Sequence, residues 1–180
     1  MEKEKLKRII EFLETQESKT PNSKGTLRWK LIFNEPLTEE ELTVDGDLNL
    51  NKTPLTSLPK GLKVRGYLSL SYTKITSLPE DLNVKGDLYL RNSKITSLPE
   101  GLKFGGNLNL GWTKMTSLPE GLKVRGDLDL VMTDITSLPK GLKVGGDLNI
   151  RGTELIIYSN DELRKMIEPG FIKGDILRYG

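Results

Sequence analysis

The 180-residue chain contains no cysteine and no histidine. Without cysteine it forms neither disulfides nor thiolate metal sites, so a reducing compartment is allowed. Without histidine it lacks the commonest general base and metal ligand. No stretch approaches the roughly 18 apolar residues of a membrane span. The start, Met1-Glu2-Lys3-Glu4-Lys5, carries charge where a signal peptide requires an apolar run. A soluble, cytoplasmic protein is the expectation. Aromatic residues make up only 6% of the chain, and the net charge of +2 gives little support to wholesale binding of a phosphate backbone.

What the chain does have is repetition. The wording Leu62-Lys63-Val64-Arg65-Gly66-Tyr67-Leu68-Ser69-Leu70, continuing to Thr73, Ile75 and Leu78-Pro79, starts again at Leu82, Leu102, Leu122 and Leu142, with a looser copy at Leu42. The period is 20 residues. A unit this short cannot bury its own apolar face, so the period predicts a solenoid in which neighbouring coils share one core. Leu68 and Leu70 stand two apart, the strand period, and predict one short strand per coil in a parallel sheet. Thr-Ser-Leu-Pro recurs at Thr56, Thr76, Thr96, Thr116 and Thr136, and its proline makes the return side extended rather than helical. Glycine holds one place in every copy, from Gly46 to Gly146, which predicts either positive φ or close approach of backbone between coils.

The stretch Leu68-x-Leu70-x-x-Thr73-x-Ile75 and its copies resemble the later part of a leucine-rich repeat. The period and the Leu-Pro turn are similar to the short bacterial subclass, and the Gly-x-Leu-x-Leu-x-x-Thr wording resembles bacterial and phage-encoded members. That resemblance implies a right-handed horseshoe, with a parallel sheet inside, an extended outer side and short helical caps at both ends. Two positions depart from the pattern. Thr53, Thr73, Ser93, Thr113, Thr133 and Thr153 stand where the family carries asparagine, and a hydroxyl offers fewer bonds than an amide. The first signature leucine is absent; Val64 and its equivalents fall one residue earlier, which predicts a bulge or turn at the following glycine.

Three segments are expected: a cap over 1–41, repeats over 42–157 (five full coils and part of a sixth) and a cap over 158–180. Residues 2–17 carry Leu6, Ile9, Ile10 and Leu13 at helical spacing. Residues 18–25 read as a loop, and Thr26–Asn34, with Leu27, Trp29, Leu31 and Phe33 alternating, reads as a strand beside the first coil. Thr38–Glu41 suggests a single helical turn. Ser159-x-x-Glu162 is a capping box opening a short helix that stops at Pro169-Gly170, leaving Phe171–Tyr179 to seal the far end.

In a leucine-rich repeat the exposed strand residues line the inner, binding face. Those columns here begin at Asp47, Asn49, Asn51 and Lys52 and vary from coil to coil, as a tuned surface would and as unconstrained surface also does. Tyr67, Tyr72, Tyr89, Arg91, Trp112 and Arg151 are candidate anchors of a protein partner, since exposed Tyr, Trp and Arg dominate interfaces. The competing reading is incidental aromatics covered by neighbours. Asp127 and Asp129, with Asp147, crowd a second part of that face. A calcium ion would relieve the crowding, but solvent or a basic partner residue relieves it equally. A basic row from Lys63 through Lys143 lies on one flank, where nucleic acid is disfavoured because the aromatics fall on another face. Arg125-Gly126-Asp127 and the sequon Asn51-Lys52-Thr53 are by-products of the repeat. The expectation is a monomeric, non-enzymatic protein-binding module without cofactor, metal or membrane, possible roles including a bacterial or phage inhibitor of a host protein. Nucleic-acid or small-ligand binding on the basic flank, self-assembly and carboxylate-based catalysis remain as alternatives.

Overall fold

The computed structural model describes Glu4 and residues 23–179; apart from Glu4, which is helical, the helix expected over 2–17 lies outside the described residues. The chain divides into two compact units, 1–42 and 43–180.

In the first unit, Ser23–Phe33 is an α-helix, not the strand that alternation suggested. Four apolar residues at every second position also contain two i, i+4 pairs, and those pairs decide the outcome. Leu27 and Leu31 are both buried, and the rings of Trp29 and Phe33 stack with centroids 3.8 Å apart. Asn34 ends the helix at φ 52°, and the Glu35 N–H reaches back to the Lys30 carbonyl, a glycine-like stop. The expected turn after Thr38 is present, closed by Leu42 N–H on the Thr38 carbonyl. The Thr38 N–H donates to Glu41, whose carboxylate also takes the Lys30 ammonium at 2.6 Å. The Lys30 bond, then the Thr38 bond, hold the Glu41 carboxyl below the usual carboxylate range.

The second unit is a parallel β-solenoid. Its principal sheet has seven two-residue strands in register, Leu48 beside Leu68, Leu88, Leu108, Leu128, Leu148 and Ile176. A second ladder pairs Thr43–Val44 with Lys63–Val64 and Asn83–Val84, and Lys123–Val124 with Lys143–Val144 and Phe171–Ile172. The bridge Asn83–Lys103 extends the first half by one coil, and the second half begins at Lys123. Residues 73–79 and their equivalents in the Leu-Pro coils hold no helix, as the prolines dictate, whereas Glu154–Ile157 of the last coil, which lacks that proline, is a 3-10 helix. Leu62, Leu68, Leu70 and Ile75 are fully buried, each contributing about 1.5–3 kcal/mol. The ladder hydroxyls turn inward as well: Thr53, Thr73, Thr113, Thr133 and Thr153 each donate to the carbonyl three residues earlier, at 2.6–2.8 Å.

The segment 158–180 holds one more partial coil. Helix Asn160–Met166 opens with the expected capping box, Ser159 and Glu162 bonding reciprocally. Those Ser159 bonds keep the Glu162 carboxyl below its ordinary range. Residues 171–177 then rejoin both ladders, 28 residues after their partners rather than 20. Arg164 donates to the Ile172 carbonyl at 2.6 Å, and Arg178 ties the end to Tyr158 and Asn160.

Between coils runs a second set of bonds. Oδ1 of Asp47, Asp87, Asn107, Asp127 and Asp147 accepts the backbone N–H of the equivalent residue in the next coil at 2.7–3.0 Å. The recurrent glycine follows from that bond. A Cβ on Gly66, Gly106, Gly126, Gly146 or Gly174 would lie 1.9–2.2 Å from the same oxygen. Of the repeat glycines from Gly46 to Gly146, only Gly46 has positive φ; close approach is the general reason.

Two outcomes follow for chemical denaturation. Gly126→Ala should destabilise by about 2 kcal/mol through overpacking and Asn107→Ala by about 1 kcal/mol, while the double variant loses clearly less than the sum. Additivity would remove the shared-volume explanation. Ser93 is the ladder's exception, its buried Oγ without a partner. The methyl of Ser93→Thr restricts the rotor as in the other coils, so about 1 kcal/mol should be gained, roughly 2–4 °C in Tm.

Candidate functional site

The polar columns expected to face a partner are in good part the fold's own bonding equipment. Asp127 and Asp147 hold the next coil's backbone. Asn49, Asn109, Asp129 and Asn149 each accept the N–H two residues on, closing an Asx turn at the strand end. Asp129 takes a further bond, from Asn109 Nδ2 at 3.0 Å. Arg151 donates through Nε to the Tyr179 carbonyl. Among the described residues, no group of three acidic side chains could hold a metal ion.

The turn after each Asx position places one residue in the left-handed region. Lys52, Tyr72, Asn92, Trp112, Met132 and Gly152 all have φ between 53° and 68°. Asparagine and glycine suit that backbone; tyrosine, tryptophan and methionine do not, at about 1–2 kcal/mol each. Yet Tyr72, Trp112 and Met132 are 48–49% exposed, so burial does not repay the strain. Lys52 Nζ lies 6.0 Å from the Tyr72 ring centre and the Arg91 guanidinium 5.8 Å from that of Trp112. Tyr72, Trp112 and Met132 form an exposed ridge, broken at Asn92, with a cation near each of its two rings.

Tyr67 and Tyr89 are different. Both are partly buried, packed edge to face with centroids 5.9 Å apart. Tyr67 stands in the Asx column and interrupts it, having no carboxylate or amide to offer. Tyr89 donates its phenol to Asp87 Oδ2 at 2.6 Å. That bond, aided by burial and the carboxylate charge, pushes the phenol up to about 12. Tyr89 also edges a shallow groove of about 230 Å³ whose wall includes Asn109, Asp127, Asp129, Asp147 and Leu177.

The structure therefore separates the expected anchors. Tyr72, Trp112 and Arg91 share the ridge; Tyr89, Asp127 and Asp129 share the groove; Tyr67 packs on Tyr89; Arg151 is engaged by the chain's end. Met132 belongs to the ridge, and its signal was available: a methionine in the column where Asn92 and Gly152 reveal the backbone's preference. No model of a known protein family matches the chain, and no curated protein matches it.

Asp87→Asn should return the Tyr89 phenol from about 12 toward 10, because the amide left facing it donates rather than accepts. Folding favours the neutral phenol, a contribution present below about 10 and lost as pH rises through about 12. Ultraviolet phenolate titration of the folded protein checks this; identical curves for both proteins would contradict it.

Proposed function

We infer that this chain is a non-enzymatic protein-binding module, a leucine-rich repeat horseshoe whose inner sheet face and adjoining ridge receive a partner. One observation carries the reading: Tyr72, Trp112 and Met132 stand half-exposed on left-handed backbone that asparagine or glycine would occupy without strain. Residues kept where they strain the fold and stay half-exposed are explained by a demand from outside it. Tyrosine, tryptophan and a neighbouring arginine are the side chains that anchor protein interfaces. The groove beside Tyr89 offers Asp127 and Asp129 to basic groups at the rim. On the same reading the protein acts without cofactor, as a cytoplasmic monomer. Its resemblance to bacterial and phage-encoded repeats makes inhibition of a host protein the leading role. The absence of histidine and cysteine supports a non-catalytic assignment.

The test substitutes Tyr72→Asn/Trp112→Asn/Met132→Asn together and compares affinity capture from bacterial lysate with wild type. Relief of left-handed strain should leave Tm at or above that of wild type. A protein retained by wild type should be lost from the variant. Equal retention by the two would sink the ridge as the binding site.

A further inference from the structure

We propose that the flank carrying the second ladder is a track for single-stranded nucleic acid, separate from the ridge. The partial coil at the chain's end places Phe171 directly beside Lys143 in that ladder. Strand alternation turns Lys103, Lys123, Lys143 and Phe171 outward, and two residues later in their coils Lys85, Arg125 and Lys173 face the same way. Among the described residues none of these six cations forms an ion pair; Arg65, which pairs with Asp45 at 2.8 Å, is the flank's exception. Glu100 and Glu120 precede Lys103 and Lys123 by three residues and do not neutralise them.

Lys123 and Lys143 stand side by side on paired strands, and like charges about 4.8 Å apart repel one another, so the solenoid gains nothing from that pairing by itself. An extended polyanion relieves the repulsion along its whole length. Phe171 selects among polyanions. Phe171 is 41% exposed, and two ammonium groups stand over its ring, Lys143 Nζ at 5.9 Å and Lys173 Nζ at 5.7 Å from its centre. The flexible lysine stems can swing aside to admit an unpaired base onto that ring while their ammonium groups hold the neighbouring phosphates. An acidic polypeptide would use the cations and leave the ring idle; a duplex hides its base faces.

Fluorescence anisotropy with the full chain and a labelled oligothymidylate of roughly 20 nucleotides tests this, titrated between about 50 and 200 mM salt. Lys103→Gln/Lys123→Gln/Lys143→Gln should weaken binding at least about tenfold and lower the log–log salt slope by about 2. Phe171→Ala should weaken it about fivefold or more with the slope unchanged. Trp112→Asn should bind as wild type does, which distinguishes this surface from the ridge. Absence of binding at the lowest salt, indifference to the lysine substitutions or indifference to Phe171→Ala would each overturn the assignment. So would equally effective competition by polyglutamate of similar length, which would reassign the track to acidic proteins. Circular dichroism confirms that each variant is folded.

Discussion

The solenoid depends on one side-chain-to-backbone bond, made between equivalent residues of successive coils. Except at Tyr67, an aspartate or asparagine at the start of a principal strand reaches forward and accepts the next coil's N–H, passing through the space where that coil's glycine lacks a Cβ. Donor, acceptor and void are set together: lengthening the glycine by one carbon displaces the oxygen, and removing the oxygen leaves the N–H to water. Coil spacing and register are thereby fixed by atoms at the sheet's edge as well as by the leucines within. Hydrophobic burial supplies most of the stabilisation, but leucines alone tolerate small slips; a bond through an empty volume does not.

That device limits where function can reside. Two of the columns that look variable and solvent-facing are already committed, one to the next coil and one to the Asx turn that follows the strand. Substituting such a residue would weaken binding and folding together, whichever role were being probed. Tyr67 shows what a departure entails. It gives up the acceptor for the following coil and gains ring contact with Tyr89, whose phenol then engages the remaining oxygen of Asp87. Positions free of such duties are the left-handed turn residues and the outward residues of the second ladder.

Periodicity made the solenoid, its strands and the helix-free return of its Leu-Pro coils legible, because each rests on local rules that the sequence states directly. The Ser159 capping box was equally plain. Three features were less so. Alternation over Leu27–Phe33 satisfies both strand and helix patterns, and packing of i, i+4 pairs selects the helix. The final partial coil escaped because the insertion containing Asn160–Met166 breaks the period, although Gly174-Asp175 repeats Gly146-Asp147 in wording and in bonding. The Asx bonds escaped for a different reason: a column of Asp and Asn reveals composition, whereas the choice between solvent and a neighbouring N–H is decided by coil spacing.

The left-handed column joins these points. Lys, Tyr, Asn, Trp, Met and Gly at successive copies look like drift until the backbone is known, and then they become a graded departure from what the turn prefers. Drift under selection for folding alone would move toward asparagine and glycine, as at Asn92 and Gly152. Half-exposed tryptophan, tyrosine and methionine move the other way, each at about 1–2 kcal/mol. A marginally stable domain keeps such residues where a second constraint acts. The proposed partner would supply that constraint along the ridge, beside a sheet face whose polar groups are already engaged in holding the coils together.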